Sequence, residues 1–467
     1  MAGKYKAYQE YQDSGVEWFG EIPAHWKNKP LKYLCSFTGG GTPSKDNLSY
    51  WHGGTIPWVS PKDMGNFNLT NTQDKLTPAA VSASSTAYIE PGALILVVRS
   101  GILRRKIPTA INAVVVTLNQ DMKALRFNDT VLVNYIAYVV YGKQKSLLLE
   151  WCKEGATVES IEHEYLANCA FPLPPLPEQQ QIAKFLDFET AQIDRLIERQ
   201  ERLIGLLEEK RQAVISHAVT KGLNPDAPLR PSGIDWLGDV PEHWEVKKMA
   251  GCARITRLAG AEYTASWRPV EDGEIVALRG QNIGFNSINL ANIERISDQL
   301  SKSLSRSRLS KGDIVYPCVG TIGNAALIEK DDTFHINQNI AKLTPKALID
   351  PLFLTYFMNS KVCLESALFL NTSDAQPSIL VSNLRRVKVP TPPIAEQQRI
   401  AIYLTGRLET IKQTSKKAQT TIDLLKERRT ALISAAVTGK IDVRDWESPK
   451  DNFQSLEESA SLTRASA

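Results

Sequence analysis

Two short polar stretches hold residue types that could read the edge of a base pair. Ser60-Pro61-Lys62-Asp63 follows the apolar run Pro57-Trp58-Val59, and Arg279-Gly280-Gln281-Asn282 follows Val276-Ala277-Leu278. A guanidinium can place two hydrogen bonds on guanine O6 and N7, and a Gln or Asn amide can place two on adenine N6 and N7. Lys62 and Asp63 offer a donor for guanine and an acceptor for cytosine. A solvated turn has the same composition, so these residues alone do not decide. Around them lie basic clusters suited to phosphates, which position a protein without specifying sequence. Arg99, Arg104, Arg105 and Lys106 follow a strand-like run; Arg306, Arg308 and Lys311 precede one; Arg254, Arg257 and Arg268 stand further upstream. Lys45 ends the stretch Gly39-Gly40-Gly41-Thr42-Pro43-Ser44, whose spacing is wrong for a nucleotide phosphate loop and suits a surface loop near DNA backbone.

Catalytic chemistry is not legible in the same way. The six cysteines, Cys35, Cys152, Cys169, Cys252, Cys318 and Cys363, show no paired metal-ligand spacing and read as reduced core thiols, with no metal site. His25 and His243 stand beside Trp26 and Trp244 and read as structural. No GxxxxGK[ST] motif occurs, and Asn224-Pro225-Asp226 departs from the Asn-Pro-Pro-aromatic tetrapeptide of amino-methyltransferases. The formal net charge is only +4, from 55 basic and 51 acidic residues. Its distribution says more: residues 28–171 hold 14 Lys/Arg and 11 Asp/Glu (+3), and 246–389 hold 18 and 13 (+5), leaving −4 elsewhere. The stretches with the polar turns are the basic ones, as phosphate attraction requires.

Stepping outward to the scaffold, the chain is written twice. SGVEWFGEIPAHW at 14–26 recurs as SGIDWLGDVPEHW at 232–244, with seven of thirteen positions identical and an offset of 218. Asn119-Gln120 recurs as Asn337-Gln338, Glu178-Gln179-Gln180 as Glu396-Gln397-Gln398, and AVISHAVT at 213–220 as ALISAAVT at 431–438, all at 218. Between these anchors the copies match only in pattern, as turn-then-strand segments with a helix at 131–151 and at 350–369. One scaffold carrying two different sets of surface residues suits a protein that reads two things with one geometry. Drift of duplicated domains gives the same pattern.

Each copy ends in a long helix. Proline clusters at 172–177 and 390–393 precede Glu178 and Glu396, acids placed at the positive helix start, and Gly222 and Gly439 mark the stops. Leu186, Ile193, Leu207 and Val214 fall on a seven-residue ladder with Gln200 in its polar slot, Leu196 and Leu203 fill the second seam position, and Ile197 and Ile204 widen it. In the second copy Leu404, Ile411, Ala418, Leu425 and Leu432 repeat the ladder, while Thr414 and Thr421 weaken its partner position. Heptads predict a helix paired along its length. Forty residues span about 60 Å, long enough to hold two domains apart; antiparallel pairing of the two helices is expected, the alternative being that each packs on its own domain.

Tandem divergent domains joined to long helices that open with PPLPEQQQIA and PPIAEQQRIA resemble the specificity subunits of Type I restriction–modification systems. The repeated Trp-containing segments are similar to that family's lead-in to each target recognition domain, and the likeness covers nearly the whole chain. The resemblance implies an α+β architecture with pseudo-two-fold symmetry: two tandem mixed α/β target recognition domains separated by two long antiparallel coiled-coil helices. It implies an N-terminal segment at 1–27, a first recognition domain at 28–171, a helical region at 172–227, a second recognition domain at 228–390 with its lead-in at 231–245, and a second helical region at 391–445. Each domain would read half of a bipartite site on double-stranded DNA, with the helices as a ruler. Two methyltransferase subunits would dock on the helices and restriction/translocase subunits would join them. The chain itself would be non-catalytic, with S-adenosylmethionine, ATP and Mg2+ belonging to those partners.

Two other classes compete. An enzyme with unrecognised motifs would show methyl transfer or cleavage by the isolated chain, and a coiled-coil scaffold for proteins would show no preference among duplexes. No apolar run of 18 residues occurs and the N-terminus lacks a signal core, so a cytoplasmic protein is expected, with no membrane contact. The Ser-, Glu- and Ala-rich stretch at 446–467 reads as a disordered tail.

Overall fold

In a computed structural model of the chain, residues 5–152, 159–320, 322–369 and 378–448 are described. Most of the expected tail, 449–467, lies outside the described residues. The structure divides into two compact units. Unit 1 comprises Met1–Arg199 with Thr421–Ala467, and unit 2 comprises Gln200–Thr420.

Unit 1 is built on a five-stranded sheet in the order Cys35–Gly39, Met122–Phe127, Leu94–Val97, Thr109–Asn112, Asn68–Leu69. A second sheet has three strands, Thr117–Leu118, Ile56–Val59 and Asp74–Leu76. Leu94–Val97 reads as a continuous apolar run because both of its faces are covered, and all four residues are buried. Unit 2 repeats the plan. Its larger sheet runs Ala253–Arg257, Ile340–Pro345, Ile314–Pro317, Ala326–Leu327, and its smaller sheet runs Glu294–Ile296, Ile275–Leu278, Phe334–Ile336. In each smaller sheet one pair is parallel: Thr117–Leu118 with Ile56–Val59, and Phe334–Ile336 with Ile275–Leu278.

Two short helices follow in each unit where one was expected. Val133–Gly142 and Gln144–Trp151 break at Lys143, which leaves helical geometry (φ −121, ψ 20). Pro351–Met358 and Lys361–Phe369 break at Asn359-Ser360. Asn359 is buried there because its side chain is fully used: its Oδ1 accepts from Ala325 N (3.0 Å), and its Nδ2 donates to the Ala325 and Thr355 carbonyls (2.9 Å each).

The outermost strands of the mixed α/β part of each unit meet where a long helix begins. Lys27–Pro30 pairs antiparallel with Ala170–Leu173, and Glu245–Lys248 pairs antiparallel with Lys388–Thr391. The helices themselves, α1 (Leu176–Lys221, 46 residues) and α2 (Ile394–Val437, 44 residues), start at the proline clusters and stop one and two residues short of Gly222 and Gly439. Both glycines hold positive φ (77° and 70°), the left-handed stop that glycine adopts without a Cβ penalty.

The repeated Glu-Gln-Gln motif is the joint between domain and helix. Buried Gln179 accepts from Leu132 N (2.8 Å) and donates to the carbonyls of Thr130 (3.1 Å) and Pro174 (2.9 Å). Gln397 repeats each bond 218 residues on, accepting from Asp350 N (2.7 Å) and donating to Leu348 (3.1 Å) and Pro392 (2.8 Å). Glu178 takes hydrogen bonds from Tyr8 Oη (2.7 Å) and Trp26 Nε1 (2.9 Å) and lies 2.7 Å from His25 Nε2. Burial and the Glu178 carboxylate push the Tyr8 phenol far above its ordinary value. Glu396 meets His243 Nε2 at 2.8 Å. His25, Trp26 and His243 therefore tie the lead-in segments to the helix starts, while Trp244, buried in the equivalent place, has no hydrogen-bond partner for its Nε1 among the described residues.

Each helix contributes its first half to one unit and its second half to the other, which differs from a division into consecutive segments. In unit 1 the two segments run antiparallel. Gln181 Nε2 donates to the carbonyl of Val443, just past the end of α2 (3.2 Å), and Asp194 pairs with Arg429 of α2 (3.4 Å), so residue numbers rise along α1 as they fall along the segment 429–443. In unit 2, Ile215, Ala218 and Val219 of α1 share one core with Ile400, Ala401, Leu404 and Leu408 of α2. There the end of α1 meets the start of α2: a Cβ on Gly222 would sit 3.4 Å from Glu396 Oε1.

The seam departs from the heptad reading in its second position. Leu186, Ile193, Leu404 and Leu432 are buried, and Leu207, Val214, Ile411 and Leu425 are half-buried. Leu196 and Leu203, expected in the seam, are 43% and 37% exposed. An unsupercoiled helix advances about 3.6 residues per turn, so a 3.5-residue stripe drifts about 20° per heptad off the contact line. Ile197, one position on, is buried in place of Leu196.

Candidate nucleic-acid interface

In unit 1, three loops converge on the turn that holds Asn119 and Gln120. The glycine stretch reaches it through Gly41 N, which donates to the Leu118 carbonyl (2.9 Å). The strand Ile56–Val59 ends there, with Asn119 N donating to the Val59 carbonyl (2.9 Å). The strand Leu94–Val97 ends there too, with Val98 N and Arg99 N donating to the Asp121 carbonyl (2.8 and 3.3 Å). The loop at 40–45, the turn at 60–63 and the basic loop at 98–108 thus form one rim. The glycines are packed: a Cβ on Gly40 would overlap the Asn119 carbonyl oxygen, so only glycine permits this approach.

Unit 2 builds the same rim around Asn337-Gln338. Asn337 N donates to the Leu278 carbonyl (3.2 Å), Cys318 N donates to the Asn339 carbonyl (2.8 Å), and Arg257 Nε donates to the Gln338 carbonyl. Each turn is held by its own buried asparagine: Asn119 Oδ1 accepts from Asp121 N and Asn337 Oδ1 from Asn339 N, both at 2.9 Å.

The two polar turns are equivalent in detail. Asp63 Oδ2 accepts from Ser60 N (2.9 Å) and Ser60 Oγ (2.7 Å), and its Oδ1 accepts from Gln73 N (2.9 Å). Asn282 Oδ1 accepts from Arg279 N (3.0 Å), and its Nδ2 donates to the carbonyls of Asn289 (3.0 Å) and Ala291 (3.2 Å). Both are caps of short 3-10 turns. Ser60, Asp63 and Asn282, read from the sequence as base contacts, are therefore engaged in holding the turns, and Ser60 and Asn282 are buried. A short polar side chain suits a cap as well as it suits a base edge.

What the turns present outward differs. Unit 1 offers Lys62, whose ammonium is held by Asp74 (2.8 Å) and raised above its ordinary pKa by that bond. Unit 2 offers exposed Gln281 and half-exposed Arg279, whose guanidinium donates to the Asn292 carbonyl and lies 3.9 Å from Glu294. Gln120 is exposed and Gln338 half-exposed, each at the centre of its rim. Sequence comparison shows this pair only as a repeat anchor; their position depends on the long-range pairings above.

The remaining cations divide between the units. Lys45, Arg99, Arg104, Arg105 and Lys106 are exposed, and Arg104 lies 3.4 Å from Glu159. In unit 2, Arg306 pairs with Glu262, while Arg308 bridges Asp298 (2.7 Å) and Asp332 (2.8 Å) and is only 15% exposed. Bonds from Lys302 and Arg308 hold the Asp298 carboxyl below its ordinary value. Arg308 is thus a strut of the fold, not the free phosphate contact expected of it. Among the described residues no group of three or more His, Cys, Asp or Glu is placed to hold a metal ion. No described helix is long and apolar enough to cross a membrane.

One rim, built twice from matched backbone bonds and dressed with different outward side chains, defines a tandem-repeat recognition protein. The family model described as the Type I restriction modification DNA specificity domain matches residues 23–204 and again 241–421. The chain belongs to this family. It is 39% identical over 186 residues to the Escherichia coli EcoR124I/EcoR124II specificity subunit, covering 40% of this chain and 45% of that protein. The E. coli EcoBI specificity subunit is 25% identical over 311 residues, 66% of this chain and 65% of that one, so each match spans less than two thirds of the relative. The MjaIX specificity subunit of Methanocaldococcus jannaschii matches at 22% over 451 residues, 95% of this chain and 99% of that protein. A solved structure concerned with complex assembly and conformational transition of the type I R-M system contains a chain of the same fold. It has a TM-score of 0.66 at 15% identity, covering 89% of this chain and 98% of that one.

Proposed function

We propose that this chain is the DNA-reading subunit of a Type I restriction–modification complex. Each rim reads one half of a bipartite duplex target, and the chain performs no catalysis of its own. The observation that carries the reading is the repeated rim: matching strand-end and asparagine bonds at Asn119 and Asn337, with Lys62, Gln120 and the basic loop on one copy and Arg279, Gln281 and Gln338 on the other. Two such sites in one chain read two unlike half-sites with one geometry, by base-edge contacts for sequence and by cations for phosphate.

In this reading α1 and α2 set the unread gap, since each is a continuous element shared between the units. The helices also offer the docking surface for two methyltransferase subunits, which restriction/translocase subunits join. S-adenosylmethionine, ATP and Mg2+ chemistry belongs to those partners, and the assembly works in the cytoplasm.

The test is an exchange of residues 28–171 for those of a relative with a known target. The expected outcome is a change in one half of the recognised sequence, with the other half and the gap kept. A change in both halves would overturn the modular reading.

A further inference from the structure

The two rims differ most in the loop that leaves the central strand of the larger sheet. In unit 1 this loop joins Leu94–Val97 to Thr109–Asn112 and occupies 98–108; in unit 2 it joins Ile314–Pro317 to Ala326–Leu327 and occupies 318–325, three residues fewer. The loops are equivalent, since Arg99 bridges antiparallel to Ser160 as Val319 does to Ser378.

The unit 1 loop is anchored from inside. Leu103 and Ile107 are buried, Ser100 caps the 3-10 turn Gly101–Arg104, Ser100 N donates to the Glu159 carbonyl (3.1 Å), and Ile107 N donates to Gln144 Oε1 (3.3 Å). That anchoring leaves Arg99, Arg104, Arg105 and Lys106 exposed. Arg99, Arg105 and Lys106 have no side-chain partner among the described residues, and 98–108 contains no acid. The described residues of the unit 2 loop carry no such cations. The loop has no charged residue, Gly323 packs on Leu364 where a Cβ would sit 3.1 Å away, and Ala325 is buried and clamped by Asn359. The other cations of that rim are already engaged: Arg257 with the Gln338 carbonyl, Arg279 with the Asn292 carbonyl, and Arg306 with Glu262.

We propose that the 98–108 loop is a preformed phosphate clamp with no counterpart in unit 2. The first recognition domain then supplies most of the sequence-independent hold on DNA, and the second contributes mainly readout. This rests on the DNA-reading function proposed above. Its physical basis is that free, exposed cations held rigidly near a duplex release counterions on binding, whereas a cation held by a protein acid, as Arg306 is by Glu262, or by a backbone carbonyl, as Arg257 and Arg279 are, must give up that bond to meet a phosphate.

The experiment measures affinity of the full chain, with its methyltransferase partner, for a random-sequence duplex across a salt series. At about 0.9 in slope per phosphate contact, the triple variant Arg99→Ala/Arg105→Ala/Lys106→Ala should flatten the logarithmic salt dependence by between two and three. Arg279→Ala/Arg306→Ala should flatten it by less than half as much per charge removed. Arg105→Glu alone serves as a second variant should the triple fail to fold, with a flattening of about one or more. Equal flattening per charge from both units, or none from the unit 1 loop, overturns the proposal. Sequence selection by the same proteins separates the two claims: wild type that enriches no motif refutes the DNA-reading function, while a triple variant that still selects both half-sites with an unchanged salt slope refutes the clamp alone.

Discussion

Removing the Gln179 side chain should destabilise unit 1, and removing Gln397 should destabilise unit 2 by a similar amount. Each amide is buried and makes three hydrogen bonds, one accepted from a backbone N–H and two donated to backbone carbonyls. Truncation to alanine leaves the Leu132 or Asp350 N–H without a partner, at about 1–3 kcal/mol for an orphaned buried donor. The two carbonyls each lose one bond but keep a second lone pair, so their share is smaller, and the total for each variant is about 2–4 kcal/mol. The assay is denaturant unfolding of the full chain, combined with amide exchange at Leu132 and Asp350. Gln179→Ala should speed exchange at Leu132 and leave Asp350 protected; Gln397→Ala should do the reverse. Gln179→Glu tests the donor directly, because an ionised carboxylate would face the Thr130 and Pro174 carbonyls with no proton to give. A loss under about 0.5 kcal/mol from either alanine variant, or unchanged exchange at the neighbouring amide, would refute the joint.

Two further outcomes follow from single buried groups. His335 has both ring nitrogens against carbonyls, Ile336 at 2.8 Å and Leu304 at 3.3 Å, and burial first, then the Arg308 and Lys342 charges, lower its pKa. A lowered folded-state pKa means stability is present above the unfolded value of about 6.5 and is lost as pH falls through the folded value. Thermal melts at pH 7.5 and 5.5 should show a smaller acid shift for His335→Gln than for wild type; equal shifts would exclude His335 as a source. Asn282→Ala should cost about 1–3 kcal/mol by uncapping the turn, and weaken the whole second half-site in binding assays. A change at one base pair with stability intact would make Asn282 a reader and not a cap.

The repeat, the helix starts and the glycine stops were readable because each rests on local chemistry. The Pro-rich lead-ins, Glu178 and Glu396, and Gly222 and Gly439 act within a turn or two of their own positions. The exchange of helix halves between units was not readable, since contacts such as Asp194 with Arg429 join residues far apart in sequence. At the rim, residue type misled in one direction. Ser60, Asp63 and Asn282 are the side chains a base edge would want, and they are also the side chains a 3-10 turn wants as caps. Gln120 and Gln338 were visible as a repeated dipeptide, but their central place arises only when strands ending at 59, 97, 278 and 317 converge. Leu196 and Leu203 show the same limit on the helix: a strict seven-residue repeat drifts off the face that a 3.6-residue helix buries, and Ile197 takes the buried place.

The central claim is that one chain reads two unlike half-sites across a fixed gap. It is tested most directly by selection from randomised duplex DNA with the full chain bound to the methyltransferase subunit proposed to dock on its helices. Enrichment of two short, dissimilar motifs at one constant spacing is the expected result. A single contiguous motif would mean that only one rim reads DNA, and no enrichment at all would contradict the DNA-reading function itself.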